Sequence, residues 1–226
     1  MAVITVSSQF GAGGPAVGKR LADKLGLEFV DKQIIHRIAL DLKVEPAEVE
    51  EFDEGSHQKL RGFLSTVFDF KALRRGAEVE QEEAGSYDDR DEIPYDYQVQ
   101  GWIDRDIYQQ MMTRVITAIG EKGNAVIKGR GSQWILRDVP GAIHVRFVGE
   151  EADRVARTVE RRGIDRAAAT ALVEEMDQRG ADFAKSYFDF DLADSALYDL
   201  VLNTSKLSME ECGAILENLA KARDAG

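Results

Sequence analysis

The chain has 226 residues, of which 44% are hydrophobic and 31% are charged, a composition typical of a globular protein with its own core. Its formal net charge of −12 argues against nucleic acid as the main partner but leaves room for a small phosphorylated ligand. The single cysteine, Cys212, excludes an internal disulfide and a multi-cysteine metal site. We find no signal-peptide pattern and no apolar run of ~20 residues, so we expect a cytoplasmic protein without a membrane segment.

The first predicted elements are a strand, a glycine-rich turn and a helix over residues 3–25. A β-branched run at residues 3–6 predicts the strand, and Gly11, Gly13 and Gly14 form the turn before apolar residues recur at helical spacing. This order is typical of a phosphate-binding loop, in which backbone N–H groups and a helix N-terminus face an anion. An ordinary strand–turn–helix corner is the alternative, and the loop alone favours neither.

The turn departs from the phosphate-loop signature G-x-x-x-x-G-K-[ST]. With Gly13 as the second glycine, Gly14 stands in place of the lysine and Pro15 in place of the hydroxyl residue. Proline is tolerated at a helix start, but it cannot donate to a phosphate or ligate magnesium. Lys19 lies one turn further on, where a solvated position is favoured. The predicted nucleotide-binding residues are therefore those of the loop backbone: Gly11, Ala12, Gly13, Gly14, Pro15 and Ala16.

The next part of the chain contains a short strand and two helical patterns. Gly26 is a plausible end for the first helix, and residues 27–30 predict a strand. Apolar residues at helical spacing predict helices within 34–42 and 46–75. Residues 76–98 are acidic and poor in aliphatic side chains, which predicts a loop, with a solvated surface insertion favoured over a flap.

The second half of the chain alternates helices and strands. Asp165 is placed to cap one helix, Ser208 and Glu211 form a capping box before another, and Cys212 falls on an apolar helical stripe that predicts a core position. The alternation predicts a mostly parallel sheet with helices on both faces. The predicted helices are 103–119, 152–159, 172–187 and 212–219, and the predicted strands are 125–127, 142–148 and 200–202.

Charged residues follow the predicted strands at the edge where parallel sheets bind ligands. Asp31 follows the second strand, although an aspartate there is often only a helix cap, and Arg130 lies between two glycines after the third. For any single arginine after the fourth strand, a surface ion pair is the favoured interpretation. For the whole cluster beside a glycine loop, phosphate binding is favoured. The three histidines show no metal-ligand spacing, so we predict no metal site. The arginine cluster comprises Arg154, Arg157, Arg161, Arg162 and Arg166.

Together these motifs resemble the cytidylate kinase-like proteins, a branch of the nucleoside monophosphate kinases. The resemblance implies an α/β, three-layer P-loop kinase fold over residues 1–226 as a single domain. It also implies that 44–100 is a variable substrate-side insertion and 154–186 a lid-like helical region. The similar stretches are ITVSSQFGAGG, LADKLGLEFVDKQII, NAVIKGRGSQWILRDVPGAIHVRFV, DRVARTVERRG and LYDLVLNTSKLSMEE.

The resemblance also implies roles for particular residues. It places the donor's phosphates at residues 8–16, the donor base near 203–206 and the lid arginines within 154–166. The implied catalytic residues are Arg157, Arg161 and Arg162, and the implied acceptor-binding residues are Asp31, Arg130, Asp177 and Arg179.

Three hypotheses follow from the sequence. The first is an ATP-dependent phosphotransferase of the nucleoside monophosphate kinase type, acting on small nucleotides with ATP and Mg²⁺, in which arginines replace the missing lysine. The second is a nucleotide-binding or regulatory module without turnover, because losing the lysine removes transition-state stabilisation while sparing much of the binding. The third is a kinase for another small metabolite, since the acceptor-reading residues depart from those of the resembling family.

Overall fold

The structure, a computed structural model, describes residues 2–31 and 105–224, with only the backbone at residues 105–108 and 111. The helices predicted within 34–42 and 46–75, the acidic segment 76–98 and the insertion predicted at 44–100 lie outside the described residues.

Strands and helices alternate along the described chain, as the periodicity predicted. The helix boundaries differ from the predicted ones by up to six residues and the strand boundaries by one or two, because helix and strand ends are set by capping and pairing rather than by periodicity. The strands are β1 (Val3–Ser8), β2 (Glu28–Val30), β3 (Ala125–Lys128), β4 (Ile143–Val148) and β5 (Leu200–Asn203). The helices are α1 (Gly14–Leu25), α2 (Arg105–Lys122), α3 (Ser132–Ile135), α4 (Glu151–Arg162), α5 (Arg166–Phe188) and α6 (Met209–Asp224), with a 3₁₀ turn at Ser195–Leu197.

The five strands of the described chain form one sheet in the order β2-β3-β1-β4-β5, and every neighbouring pair is parallel. Strand β1 therefore lies at the centre, with Val6 opposite Lys128 of β3 and Ser7 opposite Arg146 of β4. The chain leaves β1 toward β2 at one edge and leaves β4 toward β5 at the other. The carboxyl ends of β1 and β4 thus form the switch point where such sheets bind ligands.

Side chains alternate between the two faces of the sheet and build a core on each. On the face that carries α1 and α6, Ile4 and Phe147 pack with Leu21 and Leu216. Buried Cys212 belongs to this core, as predicted. On the opposite face, β1 and β3 pack against α2 and α3, with Met112, Ile116, Ile127 and Leu136 at the centre. The predicted three-layer α/β fold is confirmed.

The predicted helix boundaries at three positions are also confirmed. Gly26 ends α1 in a left-handed conformation with φ 67°. The Asp165 carboxylate accepts a hydrogen bond of 2.8 Å from the Ala168 N–H and caps α5. Before α6, the Ser208 N–H donates to the Glu211 carboxylate while the Glu211 N–H donates to the Ser208 hydroxyl, which is the predicted capping box. No helix of residues 2–31 and 105–224 has the length and apolar character needed to cross a membrane.

Candidate functional site

The glycine-rich turn joins β1 to the first turn of α1, at the switch point of the sheet. Gly11 and Gly13 take left-handed conformations, with φ 76° and φ 78°, which residues with a Cβ rarely adopt. Gly14 opens α1 with Pro15 directly after it. A Cβ on Gly14 would lie 2.7 Å from the Phe147 ring and 2.8 Å from the Ser8 hydroxyl. Glycine is required here for the close approach of the helix to the sheet.

The turn presents a group of unbonded backbone N–H groups. Ala12 is internally bonded, since its N–H donates to the Gln9 carbonyl at 3.1 Å, and Pro15 has no N–H. Within the described chain, no hydrogen-bond acceptor lies against the N–H groups of the other four loop residues. Such groups at a helix start are the usual donors to a bound anion. They belong to Gly11, Gly13, Gly14 and Ala16.

Arg154 of α4 and Asp177 of α5 hold the first residues of the turn in place. The Phe10 N–H donates to Asp177 Oδ1 at 2.9 Å, and Arg154 Nη1 donates to the Phe10 carbonyl at 3.0 Å and to Asp177 Oδ2 at 2.6 Å. Arg154 Nε also donates to the Gly149 carbonyl at 3.0 Å. The Arg154 side chain is only 7% exposed, so this ion pair lies in a poorly hydrated environment. The pair fixes the start of the turn to α4 and α5.

Arg157 contacts the turn one helical turn further along α4. Its Nη1 donates to the Gly11 carbonyl at 2.9 Å and to the Thr204 hydroxyl at 3.0 Å, and its Nη2 donates to the Thr204 carbonyl at 2.7 Å. Thr204 follows β5 and is 6% exposed. Arg157 therefore joins the turn to the end of β5 and holds a positive charge against the loop backbone.

Two further contacts close the space around the turn. The Gln9 side-chain oxygen accepts a hydrogen bond of 3.0 Å from the Gly149 N–H, which ties the turn to the end of β4. The Met209 thioether, from the first turn of α6, lies against Gly13, where a Cβ would be 2.7 Å from its sulfur. Burial raises the pKa of the Cys212 thiol on the same helix, so this cysteine remains protonated at neutral pH.

The other arginines predicted on α4 and α5 lie near the end of α4 and on the surface of α5. The Arg162 guanidinium carbon is 5.2 Å from the centre of the Phe10 ring, and Arg161 is exposed near the end of α4. Arg179 forms a surface ion pair of 2.7 Å with Glu175 on α5. The Lys19 ammonium pairs with Asp23 at 2.5 Å, also on the surface. Of the predicted catalytic arginines, Arg157 is the one that donates to the Gly11 carbonyl of the turn, and Arg162 lies over the Phe10 ring.

The Gly-Arg-Gly bend follows β3 on the α2 face of the sheet. Arg130, between Gly129 and Gly131, has φ 59°, so three consecutive residues are left-handed. A non-glycine residue in this region carries backbone strain, which is common at functional sites. The Arg130 guanidinium carbon lies 5.4 Å from the centre of the Phe183 ring. Asp31, directly after β2, lies at the same edge of the sheet.

Sequence reasoning missed several residues of this site. The acceptor role implied for Asp177 stays a prediction, and in the structure its two carboxylate oxygens accept hydrogen bonds from Phe10 and Arg154. Sequence reasoning included Gln9 only in the phosphate-binding range 8–16 and Thr204 only near the donor base, and it gave no role to Met209. Their contacts join distant parts of the chain and leave no local pattern. Arg154 was predicted as a member of the arginine cluster, and its position three residues before Arg157 indicates that both face the same side of the helix.

Comparisons with known proteins agree with this architecture. The model of the cytidylate kinase-like family matches residues 3–206. Cytidylate kinase from Pyrococcus horikoshii is 25% identical over 229 residues, with 99% of this chain and 93% of the relative covered. Cytidylate kinase from Natronomonas pharaonis is 23% identical over 221 residues, covering 97% and 90% of the two chains.

A crystal structure of an uncharacterized protein from Eubacterium ventriosum has the same fold. It superposes with a TM-score of 0.65 at 22% identity and covers 98% of both chains. The sequence match over nearly the whole chain identifies the family, and the parallel sheet with its glycine-rich turn has the kinase-type architecture that the match implies. The chain belongs to the cytidylate kinase-like family.

Proposed function

We propose that the protein is an ATP-dependent phosphotransferase of the nucleoside monophosphate kinase type. The observation that carries the proposal is the set of unbonded N–H groups of Gly11, Gly13, Gly14 and Ala16 at the start of α1. These donors, with the partial positive charge of the helix N-terminus, are suited to the phosphates of ATP. The proposal assigns the whole loop from Gly11 to Ala16 to the donor, with Ala12 and Pro15 shaping it rather than donating.

Magnesium enters this site bound to ATP. Pro15 lacks a hydroxyl, and the nearby Ser8 hydroxyl donates to the Gln9 carbonyl at 2.9 Å. The described chain contains no group of three or more His, Cys, Asp or Glu residues placed to hold a metal ion. The donor set therefore suits an ion carried by the phosphates of ATP rather than one with its own protein cage. When bound, Mg²⁺ neutralises charge on the phosphates.

Arginines supply the positive charge that the missing lysine would bring. Phosphoryl transfer depends on fixed charge and positioning more than on covalent chemistry. Arg157 is already held against the loop by Gly11 and Thr204, so it requires no large rearrangement to contact a bound phosphate. We propose Arg157 as the main catalytic arginine, with Arg161 and Arg162 contributing from the end of α4.

The acceptor is proposed to bind at the α2 side of the sheet edge. Strained Arg130 is the best-supported acceptor residue, since a Cβ on the neighbouring Gly129 would meet no described atom within 4 Å and the backbone is open on that side, whereas Gly131 packs against the Phe188 ring. Asp31 and Arg179 remain proposed acceptor contacts. Asp177 is better suited to positioning the loop, because both its oxygens are bonded within the protein. A nucleoside monophosphate is the proposed acceptor, because near-full-length relatives are cytidylate kinases.

A nucleotide-binding module without turnover is the second candidate function. It is favoured by one observation: the loop lacks a lysine, and the two arginines bonded to its backbone, Arg154 and Arg157, already donate to several protein acceptors. In that case the loop binds ATP while too little charge remains for the transferred group.

Coupled ATP turnover against a panel of nucleoside monophosphates tests the proposal. We expect turnover with at least one acceptor and a loss of about 100-fold or more in kcat for Arg157→Ala. Arg20→Ala is the matched control, because Arg20 is an exposed arginine paired with Glu210 on the protein surface. ATP binding by calorimetry without turnover for any acceptor would select the non-enzymatic module instead.

A further inference from the structure

Polar side chains cluster on the α2 face of the sheet where β1 and β4 end, and the proposed function gives them no role. Ser7 and Arg146 are opposite each other in the two strands, and Arg146 Nη1 donates to Ser7 Oγ at 2.9 Å. The Tyr198 hydroxyl lies 3.4 Å from the same Oγ and 3.5 Å from Arg146 Nη1. Gln133 Nε2 lies 3.5 Å from this hydroxyl. These four residues are called the Arg146 cluster below.

Arg146 carries a charge that no carboxylate balances within the described chain. Its polar contacts are the Ser7 and Tyr198 hydroxyls, and its guanidinium carbon lies 5.7 Å from the centre of the Tyr198 ring. A partly buried guanidinium ordinarily pairs with an acid, as Arg154 does with Asp177, because burial weakens its hydration. The unbalanced charge of Arg146 indicates an anion as the missing partner.

Two buried polar atoms also lack partners among the described residues, one in Gln133 of this cluster and one in the neighbouring residue Ser132. Ser132 Oγ and Gln133 Oε1 have no hydrogen bond in the described chain, although the two residues are 0% and 1% exposed. Gln133 Oε1 belongs to the same side-chain amide as Nε2, which lies 3.5 Å from the Tyr198 hydroxyl. Turning the amide over would leave an N–H group unpaired instead of the oxygen. Buried groups of this kind are stabilised when a ligand or water supplies the missing hydrogen bond.

The position of the cluster fits a second ligand beside the donor. The glycine turn lies against Phe147 on the α1 face of the sheet, and this is where the donor phosphates are proposed to bind. Alternation along β1 places Ser7 on the opposite face, the face that also carries Val3. Ser7 lies near the carboxyl end of the strand, where the glycine turn begins. The two groups of ligand-binding atoms therefore lie on either side of the end of β1.

We propose that the Arg146 cluster binds a negatively charged oxygen group of the acceptor substrate, either a carboxylate or a phosphate. Arg146 supplies the charge, and the Ser7 hydroxyl and the Gln133 amide supply hydrogen bonds that orient the group. The Tyr198 hydroxyl donates to the Leu192 carbonyl at 3.0 Å and accepts from Arg146, so it positions the guanidinium. The identity of the ligand as an acceptor rests on the proposed kinase function, whereas binding of an anion at Arg146 does not. The cluster selects an anionic acceptor over a neutral one.

The side-chain Nε–H resonance of Arg146 in ¹⁵N-labelled protein tests this directly. The Arg146→Gln spectrum identifies the resonance by its absence, and a thermal melt confirms that this variant is folded. Inorganic phosphate and sodium acetate are titrated separately at constant ionic strength. A saturable shift of this resonance is expected with at least one of them, while Arg137, exposed beside Trp134, shows none. Phosphate alone indicates a phosphorylated acceptor, acetate alone a carboxylate, and no saturable shift with either overturns the proposal.

Steady-state kinetics provide the second measurement. With an active acceptor, Arg146→Gln is expected to raise its KM by about tenfold or more while the KM for ATP stays constant. Tyr198→Phe is expected to raise it less, and Arg137→Gln not at all. Equal KM values in Arg146→Gln and wild type would overturn the cluster's role at the acceptor. Anion binding at Arg146 without any turnover would contradict the kinase proposal and leave the anion site standing.

Discussion

Arginines lie on both sides of the central strand, and they are held in different ways. At the glycine turn, Arg154 donates to backbone carbonyls and to the Asp177 carboxylate, and Arg157 donates to the carbonyls of Gly11 and Thr204. On the α2 face, Arg130 and Arg146 contact aromatic rings and hydroxyls but no carboxylate in the described part of the chain. The first pair fixes the turn, with Arg157 also holding its charge against the loop, whereas the second pair has no carboxylate partner among the described residues.

The number of arginines in a segment therefore does not show what each of them does. The densest arginine segment of the sequence, α4, contains the two that are most fully bonded to the protein. The α2 face carries single arginines in a strand and in a bend, and neither has a carboxylate partner in the described part of the chain. A cluster in the sequence therefore locates the site but does not identify which cations contact the substrate.

Removal of Arg154 should have the largest effect on stability. Arg154→Met leaves the Asp177 carboxylate and the carbonyls of Phe10 and Gly149 without their donor, so we expect a loss of about 3 kcal/mol in the free energy of unfolding. Urea denaturation measures it. Arg179→Ala is the control, because its exposed ion pair with Glu175 contributes at most about 0.5 kcal/mol. Equal losses in the two variants would show that Arg154 does not hold the turn.

A methyl group on Gly14 should also destabilise the turn. Gly14→Ala places a Cβ 2.7 Å from the Phe147 ring, and such overpacking costs about 1–3 kcal/mol. Gly180→Ala is the matched control, because Gly180 lies within α5 and, among the described residues, a Cβ there would meet Leu192 at 3.6 Å. This substitution should stabilise the protein by about 0.5–1 kcal/mol. The same unfolding measurement compares the two alanines, and a stable Gly14→Ala protein would contradict the close packing of the turn on the sheet.

A smaller loss is expected where Arg157 meets the end of β5. Thr204→Val removes a hydroxyl that accepts from Arg157 at 3.0 Å and donates to the Val148 carbonyl at 3.1 Å, with little change in volume. We expect a loss of about 1 kcal/mol in the free energy of unfolding. Ser205→Ala is the control for the same segment, as the Ser205 hydroxyl accepts one exposed hydrogen bond from the Glu150 N–H. A larger loss in Ser205→Ala would remove the special role of Thr204.

The smallest expected effect is a pH dependence on the α2 face. Burial lowers the pKa of His144, partly offset by Asp199 and reinforced by Arg223, while Thr5 bonds the ring at 2.8 Å. The unfolded chain therefore takes up a proton at higher pH than the folded one, so this contribution is complete above about pH 6.5 and is lost as the pH falls. His144→Gln should lose less stability than wild type between about pH 7 and about pH 5.

Asp199 does not obscure this measurement. Burial raises its pKa, but the His144 N–H and Arg223 together hold the net pKa below its ordinary value, so Asp199 titrates at a lower pH than the interval examined. Identical pH profiles for wild type and His144→Gln would show that the buried imidazole is not the titrating group.

Local features of the fold were predictable from the sequence, and contacts between distant segments were not. Gly26, Asp165 and the Ser208–Glu211 pair mark helix ends because capping involves residues a few positions apart. The four-residue helix α3 escaped prediction, since it is too short to show a helical period.

The site shows the same limit. The spacing of Arg154 and Arg157 indicates that they share a helix face, but only the packing of α5 brings Asp177 to Arg154, 23 residues away. Arg146 lies within the predicted strand 142–148, and no role was predicted for it. Its signal was the match of polar alternate positions in two strands, with Thr5 and Ser7 in β1 facing His144 and Arg146 in β4, and it becomes visible once the two strands are known to pair.

The central claim, that backbone amides of the glycine turn bind the phosphates of ATP, is tested most directly by ¹⁵N–³¹P couplings across hydrogen bonds in the complex with ATP and Mg²⁺. The account predicts couplings to phosphorus at N–H groups among Gly11, Gly13, Gly14 and Ala16, and none at Ala12, whose N–H is bonded to Gln9. Failure to bind ATP, or binding with no coupling at any of these four amides, would contradict it.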